Sequence, residues 1–265
     1  MGSGLTSLAS GYVSKMEEPF TWHSLLPYPL SLVPQHTFTA FLVMVLLVAA
    51  GYLGRRSLLR AKDPVIPDEG LSLRNLLELL VGFVVGLSDS VMGKRGRKFV
   101  HLFGSFFIFI LTANLMGLIP GFSPPTNNFN VTLGLGLTSF VAYNFCGFRE
   151  HGSGYIRQFI GPMTSLPSTG RKIMSFLFAP ILVVSVLFFF ALESISHMVR
   201  PLSLGLRLFG NMFGDHLVVE IFTELTYVII PVVFYILGAL VSVIQAFVFT
   251  LLSVIYVAMA ISHEH

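Results

Sequence analysis

Long uncharged apolar runs, separated by short polar segments, dominate the hydrophobic pattern of this chain. The first run covers Thr37 to Leu53 and ends at Arg55-Arg56. Two further runs, Phe99 to Ile119 and Val131 to Phe148, are joined by a stretch rich in Pro, Gly and Asn, which favours a turn. Because about 20 apolar residues in a helix cross a bilayer, we predict three membrane-spanning helices, of which the last two form a hairpin.

The segment from Leu71 to Met92 has a different pattern. Arg74, Glu78 and Asp89 interrupt a background of Leu and Val. Such a mixture is typical of a helix that lies in or near the membrane interface. We therefore predict an interfacial helix here and do not count it as a membrane crossing.

The C-terminal half contains two apolar runs that are too long for upright membrane spans. Ile173 to Phe222 would measure about 75 Å as one helix, and Tyr227 to Ile261 about 52 Å, whereas the hydrocarbon core is about 30 Å thick. Either Pro180, Pro201 or Pro231 interrupts these helices, or the helices cross the membrane with a steep tilt. We predict two long oblique helices.

Composition and charge place the chain in the membrane class. Of 265 residues, 54% are hydrophobic and 11% are charged, whereas about 25% of the residues of a soluble domain are charged. The single cysteine, Cys146, excludes an internal disulfide and a cysteine-based metal centre. The predicted fold class is an all-α integral membrane protein with about five crossings, one interfacial helix and two long tilted C-terminal helices.

Basic residues cluster in three connecting segments, at 55–74, 94–98 and 149–172, which together hold 13 of the 16 Lys and Arg residues. The positive-inside rule places these segments on the internal side of the membrane. We therefore predict an external N-terminal segment over residues 1–36, a membrane ion-channel domain over residues 37–265, and an internal C-terminus. Since topology accounts for the basic loops, nucleic-acid binding is not indicated.

Arg207 is the most informative residue, because an arginine near the middle of a membrane span costs on the order of 3 kcal/mol on insertion scales. On a helix, Asn211 and Glu193 lie within about 40° of the direction of Arg207. Ionisable groups inside membranes mark ion paths by default, so we favour a functional stripe. The alternative is that Arg207 snorkels or pairs with a carboxylate for packing alone. Arg200 shares the stripe, but it precedes Pro201 and could mark a structural end.

A second polar group follows Arg207 on the opposite side of the helix. His216 lies about 180° from Arg207, and Glu220 is one turn beyond His216. A histidine beside a carboxylate is suited to a proton relay near neutral pH. The alternative is a helix end that reaches water, and we favour it for Glu224, whereas we favour the relay for His216. Asp215 belongs to the same group.

Gln245 is the only strongly polar side chain in the last apolar run. We expect it to face a partner helix or an aqueous cavity and not lipid. A structural role and a role in ion transport are both open for this residue.

The segment RPLSLGLRLFGNM, from Arg200 to Met212, closely resembles the hallmark segment of the F-type ATP synthase subunit a family. Further similarities are Asn114 to Pro120, Ile244 to Phe249 and a short His-rich C-terminus. Together they cover the chain from about residue 70 onward. The resemblance implies a proton-conducting stator subunit of a rotary ATP synthase, and not an enzyme with its own catalytic nucleotide site.

The same resemblance implies roles for individual residues. Arg207 would face a rotating ring of c subunits, draw the proton off each ring carboxylate, and separate an external from an internal half-channel. Asn211, Gln245 and Glu193 match polar positions along the family's ion path. Family members often pair a Glu with a His, one at the position of His216 and one on the last helix.

Gly238 stands at the position of the last helix that would complete this pair. Asp215, Glu193, Glu220 or a water molecule is left to supply the missing partner of His216. The implied partners are the c-subunit ring, the peripheral stalk b subunits, the remaining ATP synthase subunits, membrane lipid and translocated H⁺, in a bacterial inner membrane. No cofactor, metal or nucleic acid is implied.

Two other functions are compatible with buried charges. An independent secondary transporter would contain internal repeats with paired broken helices, and we find no such repeat. An intramembrane metal-dependent hydrolase would need four ligands or catalytic groups in one place, namely His197, His216, Glu193 and Glu220.

Overall fold

The computed structural model describes residues 22–25, 27, 33–60, 70, 72–152, 155, 172–225 and 229–262. In this part of the chain all regular structure is helical. Six α-helices follow one another, which we number in chain order: α1 Gln35–Arg60, α2 Leu73–Met92, α3 Val100–Met116, α4 Phe129–His151, α5 Lys172–Leu225 and α6 Ile229–Ile261. Short 3-10 segments lie at Trp22–Leu25, Gly93–Phe99 and Pro125–Asn127.

Four helical stretches of the described residues are long and apolar enough to cross a membrane: Gln35–Arg60, Leu73–Met116, Phe129–His151 and Ile230–Ile261. The predicted class of all-α integral membrane protein is therefore confirmed. The predicted external segment over residues 1–36 lies largely outside the described residues, and its side of the membrane stays a prediction.

Helix α1 continues through Arg55-Arg56 to Arg60, so the helix extends beyond the uncharged apolar run that ends at the arginine pair. Arginine is a good helix former, and a helix that leaves the apolar core needs no apolar residues to continue. The arginine pair therefore ends the apolar run of α1 but not the helix.

The charged residues of α2 are paired. The Arg74 side chain is 3% exposed, and its Nε donates to Glu78 Oε1 at 2.8 Å one turn further on. Arg97 in the following 3-10 segment donates to the Asp89 carboxylate at 2.8 Å. Pairing lowers the free-energy cost of placing these charges in an apolar background. The depth of α2 in the membrane stays a prediction.

Helices α3 and α4 are consecutive and joined by a short turn, as predicted, but they barely touch each other, because each of them packs against α6 instead. The turn between them is anchored by Thr126, whose hydroxyl donates to the buried Asn114 Oδ1 at 2.8 Å. Asn128 caps the start of α4 by accepting from the Asn130 amide at 2.9 Å. On the outer side of the turn, the Trp22 indole donates to the Pro120 carbonyl at 3.1 Å, so the described part of the N-terminal segment contacts this hairpin.

Helix α5 is one continuous element of 54 residues. It passes through Pro180 and Pro201, so neither proline interrupts it, and Arg200 does not mark a helix end. Prolines are tolerated inside membrane helices because neighbouring groups satisfy the freed backbone carbonyls. Pro231 lies in the first turn of α6, where the missing amide removes no helical hydrogen bond.

Two glycines let α4 and α5 approach backbone to backbone. A Cβ at Gly136 would overlap the Pro201 carbonyl, and a Cβ at Gly205 would lie 3.1 Å from the Thr132 carbonyl and the Leu133 Cα. Small residues at helix crossings are a common device of membrane proteins, where close packing drives association. This crossing lies just before Arg207 and fixes the position of that part of α5.

The core lies between α3, α4, α5 and α6. It is built mainly from large aliphatic and aromatic side chains with almost no exposed surface, among them Phe103, Ile110, Tyr143, Leu204, Leu208, Phe249 and Val254. Within it, the hydroxyls of Ser139 on α4 and Ser253 on α6 are hydrogen-bonded at 2.9 Å. The bundle therefore presents α5 and α6 side by side, with one face of each outside the core.

Candidate functional site

Arg207 is exposed at the surface of α5. The core-facing stripe of this helix is defined by Leu204, Leu208 and Met212, which are all buried. At 100° per residue, Arg207 lies about 100° around the helix from the centre of that stripe. The guanidinium therefore stands at the edge of the bundle, where α5 could meet another protein.

Large apolar side chains are exposed on both α5 and α6. They come from α5 (Leu202, Leu206, Phe213 and Leu217) and from α6 (Ile236, Leu237, Leu240, Val243 and Ile244). Exposed apolar surface of this extent marks contact with lipid or with another protein. Arg207 is a charged and exposed residue of the same helix α5.

Asn211 and Gln245 are hydrogen-bonded beside Arg207. Asn211 Nδ2 donates to Gln245 Oε1 at 2.7 Å and so links α5 to α6. Gln245 is 3% exposed, which confirms that it faces a partner helix. Its Nε2 is buried without a hydrogen-bond partner among the described residues. This free donor can serve a water molecule or a passing polar group, since a buried donor without a partner is unfavourable.

Asp215 lies against Gly238. A Cβ at Gly238 would overlap an Asp215 carboxylate oxygen and would lie 3.1 Å from Asp215 Cγ and 3.0 Å from Leu118 Cδ2. Of the carboxylates that the sequence left as candidates, the structure therefore brings Asp215 to the position of the missing last-helix side chain. Glu220 is exposed one turn further along α5.

His216 is half-buried and follows Asp215 directly on α5. Its ring is on the side of the helix opposite to Arg207, as the helical spacing predicted. Glu224 lies at the end of the same helix, and its side chain falls outside the described residues.

A second polar cluster lies on the other side of Arg207 along α5. Glu193 Oε1 is 3.0 Å from His197 Nε2, and His197 Nδ1 is 3.1 Å from the Tyr143 hydroxyl on α4. The Arg200 guanidinium stacks over the Tyr256 ring at 5.4 Å from its centroid, a favourable cation–π contact. The sequence pointed to Glu193 but assigned no transport role to His197 and none at all to Tyr143, since no local spacing connects α4 with α5.

The two polar clusters are well separated along one continuous helix. At about 1.5 Å per residue, Glu193 lies roughly 21 Å before Arg207, and Asp215 lies roughly 12 Å after it. His197 and His216 are roughly 28 Å apart by the same measure. The four residues of the hydrolase alternative therefore do not converge, and no three His, Cys, Asp or Glu side chains of the described residues form a metal-binding group.

The sequence matches known proteins over most of its length. The family model of the ATP synthase A chain matches residues 37–258. The ATP synthase subunit a of Bdellovibrio bacteriovorus is 40% identical over 247 residues, which cover 93% of this chain and 99% of that protein. ATP synthase subunit a 1 of Syntrophotalea carbinolica is 38% identical over 230 residues, 87% of each chain.

ATP synthase subunit a 1 of Pelobacter propionicus is 39% identical over 225 residues, which cover 85% of this chain and 86% of that protein. The matched region contains the hairpin, both polar clusters and Arg207. Because a family model covers most of the chain and full-length relatives share more than a third of their residues with it, this membrane protein belongs to the ATP synthase subunit a family.

Proposed function

We propose that this chain is the proton-conducting stator subunit of a rotary F-type ATP synthase in a bacterial inner membrane, and that it provides two half-channels to a ring of c subunits. The observation that carries this proposal is the position of Arg207. It is exposed at the edge of the bundle, and a polar cluster that contains a carboxylate lies on each side of it along α5.

The external half-channel runs along the stripe Asp215, Asn211 and Arg207. These residues are spaced four apart on α5, so consecutive side chains lie one turn from each other. Asp215 contributes the carboxylate in the space left by Gly238, and the free Nε2 of Gln245 adds a donor beside Asn211. His216 and Glu220 follow Asp215 on a different face of α5, towards its external end, and can add polar groups where this path opens to water.

The internal half-channel contains Glu193 on the opposite side of Arg207. Its side chain is 37% exposed, so the carboxylate can exchange protons with water. Placing the three basic segments inside puts this cluster on the internal half of the membrane. A proton entering from outside therefore reaches the ring on one side of Arg207 and leaves on the other.

Arg207 acts as a gate and not as a relay. A guanidinium keeps its charge at every accessible pH, so it cannot pass a proton between the two half-channels. It can, however, stabilise the charged form of a ring carboxylate that arrives opposite it. The ring carboxylate then releases its proton before it passes Arg207 and binds a new one after it.

The exposed apolar surface of α5 and α6 fits a helical ring and lipid as neighbours. The peripheral stalk b subunits and the remaining ATP synthase subunits follow as partners from the same assignment. Membership in the subunit a family disfavours an independent secondary transporter.

Purification of the tagged chain in mild detergent tests this function. We expect a ring of small helical-hairpin subunits to purify with it, and we expect vesicles that contain the complex to acidify on addition of ATP. A purified complex that contains the ring and hydrolyses ATP but never moves protons would contradict the proposal.

A further inference from the structure

We propose that His197 is a positioning residue of the internal half-channel, which holds the Glu193 carboxylate in place in both of its protonation states by bridging it to Tyr143. This inference rests on the proposed function, because it assumes that protons pass through Glu193. It adds a residue of α4 and a second residue of α5 to that path.

The bridge connects two helices in a buried setting. His197 is 5% exposed and Tyr143 is 1% exposed. The Tyr143 hydroxyl lies 3.1 Å from His197 Nδ1, and His197 Nε2 lies 3.0 Å from Glu193 Oε1. Both ring nitrogens are thus engaged, so the orientation of the imidazole is fixed from two sides.

The donors and acceptors of the bridge match in both protonation states of Glu193. When Glu193 is ionised, the His197 tautomer with hydrogen on Nε2 donates to the carboxylate and accepts from the Tyr143 hydroxyl at Nδ1. When Glu193 is protonated, its hydroxyl can donate to Nε2, and the other tautomer donates from Nδ1 to the Tyr143 oxygen. The carboxyl group therefore keeps a partner whether or not it carries the proton.

Neighbouring aromatic and polar side chains pack around the bridge from Glu193 through His197 to Tyr143. The Tyr143 ring also packs on Tyr256 of α6, with ring centroids 5.9 Å apart, and Tyr256 carries Arg200 over its face. Tyr155, after α4, donates to Asn144 Oδ1 at 3.0 Å. The charged and titratable groups that face the bridge are thus Glu193 and Arg200 from α5, Tyr143 and Tyr155 from α4 and its end, and Tyr256 from α6.

The solvent exposure of Glu193 and His197 differs as expected if His197 positions the Glu193 carboxylate. The Glu193 side chain is 37% exposed, whereas that of His197 is 7% exposed. The carboxylate is therefore the end that meets water, and the imidazole is the buried end that orients it. If His197 served only the packing of α5, its hydrogen bond to the partly exposed Glu193 carboxylate would not be needed.

The test uses ATP-driven proton pumping in inverted membrane vesicles, whose outer face is the internal face of the membrane. His197→Leu removes both hydrogen bonds at nearly constant volume, whereas His197→Gln keeps an N–H that can donate to Glu193. Since His197→Leu removes the partner of Glu193 in both protonation states, the pH profile of pumping should change in this variant and should be largely restored in His197→Gln.

We expect His197→Leu to lower maximal pumping several-fold and to change its pH profile, and His197→Gln to recover most of the rate and of the profile. The matched control is His101→Leu, at an exposed position of α3, which should pump as the unmodified complex does. If His197→Leu assembles normally and pumps with an unchanged pH profile, the inference is wrong. If it does not assemble, Tyr143→Phe replaces it, and an unchanged profile for that variant overturns the inference.

Glu193→Gln separates this inference from the function on which it rests. The amide keeps the size of the side chain but cannot release a proton, so pumping should fall further than in His197→Leu. Normal pumping by Glu193→Gln would show that the internal path runs elsewhere, whereas slow pumping by Glu193→Gln with normal pumping by both His197 variants would refute only the role of His197.

Discussion

The Asp215 carboxylate on α5 occupies the space that a Cβ at Gly238 on α6 would need. The family resemblance implies a facing pair of ionisable side chains across these two helices in many family members, and Gly238 leaves that pair incomplete in this chain. In this chain both ionisable residues, Asp215 and His216, lie next to each other on α5. At position 238, helix α6 contributes no ionisable side chain, and the glycine there leaves the space that the Asp215 carboxylate occupies. The position of the Asp215 carboxylate therefore depends on a glycine at position 238.

Gly238→Ala should slow proton transport strongly. The added methyl would displace the Asp215 carboxylate or separate α5 from α6, and overpacking of this kind costs about 1–3 kcal/mol. Proton pumping in vesicles with equal amounts of assembled complex measures the effect. Gly82→Ala is the matched control, since nothing lies within 4 Å of a Cβ built at that position of α2. Pumping that is equal in both variants would remove Asp215 from the proposed path.

Gly136→Ala should destabilise the complex, whereas Gly134→Ala should not. A Cβ at Gly136 would overlap the Pro201 carbonyl, while a Cβ at Gly134 meets nothing within 4 Å. Both positions lie on α4, two residues apart, so the effect of helix propensity is the same in the two variants. Replacing glycine by alanine would by itself stabilise the helix by about 1 kcal/mol in each case. Thermal unfolding of the purified complex should therefore occur at lower temperature only in Gly136→Ala. Equal unfolding temperatures would mean that α4 and α5 do not cross here.

The sequence was sufficient to predict most of the helices, but it did not predict which helices contact each other. Run lengths and charges predicted α2 through α6 to within a few residues, because membrane spans depend on local composition. The end of α1 lies beyond its apolar run, because arginine is a good helix former and the helix continues past Arg55-Arg56. The continuity of α5 through Pro201 was left open, since it depends on packing against α4, where Gly136 allows close approach.

The same distinction applies to the site. Helical spacing alone related Glu193 and Asn211 to Arg207, because all three lie on one helix. The hydrogen bond from Asn211 to Gln245 and the link from His197 to Tyr143 join residues 34 and 54 positions apart. No spacing rule within one helix predicts such pairs. They follow only from the arrangement of α4, α5 and α6 in the bundle.

His216→Ala should slow proton flux without abolishing it. The imidazole can accept and donate a proton in a relay, but Asp215 and water can replace part of that relay. Passive and ATP-driven proton flux in vesicles, measured across a range of pH on the external face, should fall without being lost. Flux that matches the unmodified complex at every pH would return His216 to a purely structural role.

The positive-inside rule predicts the side of each loop and can be checked by labelling. After replacement of Cys146, single cysteines at Ser123 in the α3–α4 turn and at Ser168, outside the described residues, should react with a membrane-impermeant reagent from opposite sides of the membrane. The comparison uses right-side-out and inverted vesicles. Labelling of both cysteines from the same side would overturn the five-crossing topology and the assignment of the Glu193 cluster to the internal side.

Arg207→Ala should abolish coupled ATP synthesis while the complex still assembles, because the residue is exposed and its neighbours Leu204 and Leu208 form the packing surface. Without the positive charge, a protonated ring carboxyl could pass the stator, and protons would leak between the half-channels. Arg207→Lys should also fail largely, since an ammonium group can lose its proton when it is desolvated, whereas a guanidinium stays charged.

ATP synthesis and passive proton leak, both measured at equal subunit levels, distinguish these outcomes. Arg149→Ala is the matched control, because Arg149 is exposed at the end of α4 and should leave both quantities unchanged. Near-normal synthesis by Arg207→Ala would refute the gate and with it the proposed function. Synthesis by Arg207→Lys but not by Arg207→Ala would mean that a fixed positive charge is sufficient and that the planar, permanently protonated guanidinium is not required.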